Sequence, residues 1–118
     1  MILAEEQINI HEAIILDLTI RTLERDRKQI EHFKAKFAFA LWIDEELKKL
    51  RSDLRNIKIE LGKTGIKILD KTRKIDEYFI AYNVRTKGND KELHYSIVAL
   101  QNKVNEEVKK RLGLEYKE

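Results

Sequence analysis

The chain has 118 residues, 42% of them apolar or aromatic and 38% charged, which is the composition of a folded chain and the length of one domain, expected to span residues 1–118. It has no cysteine, so disulfides, thiolate metal sites and thiol nucleophiles are excluded. The net charge of +3 is unevenly spread: residues 1–47 carry 6 basic against 10 acidic side chains, residues 48–74 carry 10 against 3, and residues 75–118 carry 8 against 8.

At the start, Glu5 and Glu6 stand where a secretory leader carries positive charge. The longest strongly apolar run, Phe37 to Ile43, falls far short of the roughly 20 residues of a membrane span. The expectation is a soluble cytoplasmic protein with no membrane partner. From Met1 to Leu61 there is neither glycine nor proline, and the content of Glu, Lys, Arg, Leu and Ala favours helix. Asn9 with Glu12 matches a capping box, and Leu16, Ile20, Leu23, Ile30, Phe33, Phe37 and Leu41 recur at helical spacings. Ile14, Leu16, Leu18 and Ile20 also alternate as in a strand, but the alternation stops while the helical spacing continues.

One helix from Ile10 to Asp53 would be about 66 Å long. It must therefore break, at Asp26 or Asp44, or project and pair with a second copy. The aromatic segment Phe33, Phe37, Phe39 and Trp42 is expected to pack on the apolar face of a sheet.

Two periodicities compete between Asn56 and Leu69. Ala40, Ile43, Leu47, Leu50, Leu54, Ile57 and Leu61 form an unbroken heptad seam that argues for helix up to the glycine. Ile57, Ile59, Leu61, Ile66 and Ile68 alternate about Gly62-Lys63-Thr64-Gly65, and their β-branched side chains favour a hairpin. Strands are predicted over 56–61 and 65–70, with the helix ending near Asp53 and the polar run after Leu69 forming a turn.

A second hairpin, with strands over 77–86 and 91–98, is predicted about the four-residue loop Lys87-Gly88-Asn89-Asp90. Facing Thr86 with Lys91 pairs Val84 with Leu93, Tyr82 with Tyr95, Ile80 with Ile97 and Tyr78 with Ala99 on an apolar face. Arg85 with Glu92, Asn83 with His94 and Ala81 with Ser96 then fall on a polar one. Leu100, Val104, Val108 and Leu112 follow at helical spacing, with Gly113 as a stop. The predicted fold is α+β: an N-terminal helix or helical hairpin, a four-stranded antiparallel meander and a C-terminal helix. The rival is an all-α four-helix bundle in which Asn89 and Glu92 cap a helix from Asp90 to Leu112.

Motifs for chemistry are nearly absent. Gly62-Lys63-Thr64 resembles the end of a phosphate-binding loop, but the glycine that motif needs is replaced by Ile57. His11-Glu12 starts like a zinc helix, yet its second histidine would fall at Ile15. No metal site and no cofactor are expected. The segment 55–74 is the one charged feature, with Lys58, Lys67 and Lys71 on one face of the first predicted hairpin, Lys63 at its tip, and Arg73 and Lys74 beyond. Such a ribbon suits phosphates or an acidic protein, although a solvated surface explains it as well.

Three functions follow. The first is a small non-enzymatic binding protein that self-associates and engages a protein partner. The second is a nucleic-acid-binding accessory protein that uses the basic hairpin. The third is a small nuclease, in which His94 serves as acid or base and Arg85 holds phosphate.

Overall fold

With no glycine or proline to stop it, the N-terminal half of the chain forms two long helices. In the computed structural model, which describes residues 2–114, these are α1 (Ala4–Arg27) and α2 (Lys36–Lys63), separated by a 3₁₀ turn at Ile30–His32. The break at Asp26 is the one that occurs. A continuous helix of about 66 Å would exceed the longest dimension of the fold, 51 Å. The turn is made by backbone rather than by side-chain capping: Gln29 N–H donates to the Asp26 carbonyl at 2.9 Å, and Ala35 precedes α2 without a side-chain cap. The start of α1 also departs from expectation. Asn9 lies inside the helix, and Glu6 Oε1 accepts from the Leu3 N–H at 2.9 Å in place of the Asn9 box. Across the helical hairpin, Arg51 Nη2 donates to Glu24 Oε2 at 3.4 Å and Arg27 Nε to Asp44 Oδ1 at 3.1 Å.

The heptad seam, not the alternation, decides residues 56–61. The first predicted strand is helix, and α2 runs through it to Lys63. A helix places Leu54 and Leu61 on the core side and turns Ile59 away, whereas a strand would aim Ile57, Ile59 and Leu61 the same way. Leu61 is 2% exposed and Ile59 53%. Of the glycines that suggested a hairpin turn, Gly62 lies in the last turn of α2 and Gly65 follows its end. Thr64 Oγ1 donates back to the Leu61 carbonyl at 3.0 Å, and Gly65, at φ +75°, turns the chain into the sheet.

The sheet therefore has three strands rather than four: β1 (Ile66–Lys74), β2 (Phe79–Thr86) and β3 (Asn89–Ser96), antiparallel in the order β1-β2-β3. β1 is longer than predicted and absorbs most of the polar run assigned to a turn. Its pairing with β2 is interrupted by a bulge between Ile68 and Thr72. The chain reverses after Lys74 at Asp76, whose Oδ1 accepts from the N–H groups of Tyr78 and Phe79 at 2.7 and 2.9 Å.

Between β2 and β3 the loop has two residues, not four. Lys87 and Gly88 take φ +45° and +90°, a turn whose twist matches its strands, so Thr86 faces Asn89. Every cross-strand pair is thereby two residues off the predicted one: Tyr82 lies opposite Leu93, Ile80 opposite Tyr95 and Asn83 opposite Glu92. An even slip leaves each side chain on its predicted face. β3 ends before the predicted Ile97 and Ala99 pairs, because Ser96 Oγ accepts from the Ala99 N–H at 3.2 Å and caps α3 (Ile97–Arg111).

The apolar sheet face closes on the helices. Ile66, Tyr82 and Val84 join Ile10, Ile14 and Ile20 of α1, Leu47, Leu50 and Leu54 of α2 and Leu100 of α3 in one contiguous core. The aromatic segment does not cover the sheet as predicted. It sits at the turn of the helical hairpin, where Phe33 and Phe39 meet edge to face at 5.7 Å.

Candidate functional site

The six predicted basic residues do not form one ribbon, because Lys58 and Lys63 belong to α2 while the others belong to β1. Lys63 is held by Glu60 at 2.9 Å, one helical turn back. Arg73 Nη2 donates to Glu92 Oε1 at 2.6 Å. Lys67 lies opposite Arg85 on the sheet face turned away from the helices, and Lys71 stands in the bulge. Lys58 and Lys74 face the helix side, at separate places along α1.

The outer sheet face carries the polar side chains singled out in the second hairpin. The shorter turn gives Arg85 to Asp90, at 2.9 Å, instead of to Glu92. Glu92 is shared by Arg73 and by His94 Nε2, which lies 2.9 Å from Oε1. The hydrogen bond from Arg73, then that from His94, lowers the Glu92 carboxyl to about 2. His94 and Arg85 thus each contact a carboxylate of their own sheet. Among the described residues, no three His, Asp or Glu side chains are grouped so as to hold a metal ion. No described helix is long and apolar enough to cross a membrane.

A different surface stands out at the turn of the helical hairpin. Phe37 is 80% exposed and Leu41 64%, and Phe33, Phe39 and Leu112 are about half exposed. On the other side of α2, Phe33, Phe39, Trp42, Ile43, Val108 and Leu112 line a mostly apolar groove of about 460 Å³. A helix turns about 100° per residue, so Phe37 and Leu41, four apart, share one side of α2, well away from the Ile43, Leu47, Leu50 and Leu54 seam. That divergence was visible in the sequence: two apolar stripes ran along one helix, and only one of them could face the core.

No curated protein and no solved structure matches the chain. A family model described as YhjD protein matches residues 1–116, and the chain belongs to that family.

Proposed function

We propose that this is a small non-enzymatic binding protein that self-associates through the turn end of its helical hairpin. The observation that supports the reading is the exposure of Phe37 and Leu41, 80% and 64%, on one side of α2. Large apolar side chains gain by leaving water, roughly 1.5–3 kcal/mol for each that is fully buried. A second copy presents the same exposed pair, so the patch can meet itself, as a two-fold interface requires. Sedimentation of the wild-type chain at about tens of micromolar should give a dimer or larger species, and the Phe37→Glu, Leu41→Glu double variant should sediment as a monomer with an unchanged far-ultraviolet spectrum. A monomeric wild-type chain at that concentration would rule the reading out.

Binding of nucleic acid is a second reading, supported by the exposed cations Lys67 and Lys71 along β1, which have no ion pair among the described residues. Each phosphate contact removed by substitution should lower the salt slope of duplex binding by about 0.9. Absence of binding to duplex or single strands at low salt would end this reading.

A further inference from the structure

Between α1, the end of the sheet and α3 lies a second cleft, of about 530 Å³, within the roughly 300–1,000 Å³ range of small-molecule sites. Its floor is apolar, formed by Leu18, Ile80, Ile97, Leu100 and Val104. Its charged rim has one sign: Arg21, Arg25 and Lys74 line it, and no described Asp or Glu does. Arg21 and Arg25 lie one turn apart on the same side of α1, an arrangement that is unfavourable between like charges. Asp17 offsets part of it by pairing with Arg21 at 3.1 Å. Arg25 and Lys74 have no ion pair among the described residues. Lys74 reaches the cleft because strand alternation places it opposite Ile80, on the helix side of the sheet.

We propose that this cleft binds a small molecule with an apolar body and one carboxylate end, of the chemistry of a medium-chain fatty acid. The apolar floor favours a hydrocarbon body over a bare phosphate, and the uncompensated rim favours an anionic end. A smaller pocket of about 160 Å³ adjoins the cleft and shares Leu18, Arg21, Ile80 and Tyr82 with it. Asp17 and Asp70 line that smaller pocket, so the carboxylate belongs between Arg25 and Lys74, away from those acids.

The test is calorimetric titration of the full chain with decanoate below its micelle concentration, with decanol as the uncharged control and methyl NMR to locate the ligand. Saturable decanoate binding is expected, with decanol weaker and with shifts at Leu18, Ile80, Ile97, Leu100 and Val104. The Arg25→Gln, Lys74→Gln double variant should bind at least about tenfold more weakly, the loss of one charge-assisted contact or more. The Arg25→Lys, Lys74→Arg variant should retain most of the affinity. Both variants change exposed positions, and an unchanged far-ultraviolet spectrum verifies their fold. The proposal is overturned by lack of saturable binding, by equal affinity for decanol, by indifference to the double neutral variant, or by shifts confined to Leu23, Ile43, Val108 and Leu112 at the hairpin turn.

Discussion

Arg111 Nη1, at the end of α3, donates to Glu46 Oε2 of α2 at 3.2 Å, across a sequence separation of 65 residues. The same guanidinium reaches Asp53 at 3.2 Å and Glu107 at 3.1 Å, and its side chain is only 13% exposed. Arg111→Ala leaves the buried Glu46 with Lys49 alone, at 3.6 Å. The expected cost is about 2 kcal/mol in urea unfolding. Removing both charges with Arg111→Leu and Glu46→Leu should cost less than Arg111→Ala, since no buried carboxylate is then stranded.

Residues 57–61 being helix gives a sharp contrast between neighbours. Leu61→Glu buries a charge and should cost about 3 kcal/mol or more, whereas Ile59→Glu should stay within about 0.5 kcal/mol of wild type. Equal losses in thermal unfolding would favour the strand.

Lys87 holds φ +45° in the β2-β3 turn, a conformation that costs most side chains roughly 1–2 kcal/mol. Asparagine adopts it more readily, and Asn-Gly is the preferred pair for this turn. Lys87→Asn should therefore stabilise the chain by about 0.5–1 kcal/mol, read as a higher urea midpoint.

The Glu92 carboxyl titrates in the fold at about 2, below its ordinary value of 4.5. A group depressed by folding contributes stability above its unfolded value and loses that contribution as pH falls through the folded one. The contribution should be present above pH 4.5 and disappear towards pH 2. Arg73→Gln removes the larger cause, so carboxyl NMR should show the Glu92 midpoint moving up towards 4.5.

The Tyr95 hydroxyl is buried without a hydrogen-bond partner among the described residues, and burial raises its pKa to about 12. Tyr95→Phe removes an unsatisfied group while keeping the ring that meets Tyr82 at 5.6 Å. Stability should be unchanged or higher by up to about 1 kcal/mol; a clear loss would reveal a partner for the hydroxyl.

Local pattern alone was enough for the α+β class, the helical N-terminal half, the need for a break within it and the apolar side of the second hairpin. Each rests on periodicity or on the lack of helix breakers, which neighbours along the chain express without tertiary help. Packing decided the rest. Residues 57–61 fit two periods, and burial of Leu61 in the core selected helix. The β2-β3 register was two residues away from the predicted one, because a twist-matched turn at Lys87 and Gly88 prevailed over a longer loop, while parity preserved the faces. Six cations close in sequence were divided between a helix and a strand, and Phe37 was left in solvent, because the direction a side chain faces depends on where its element packs.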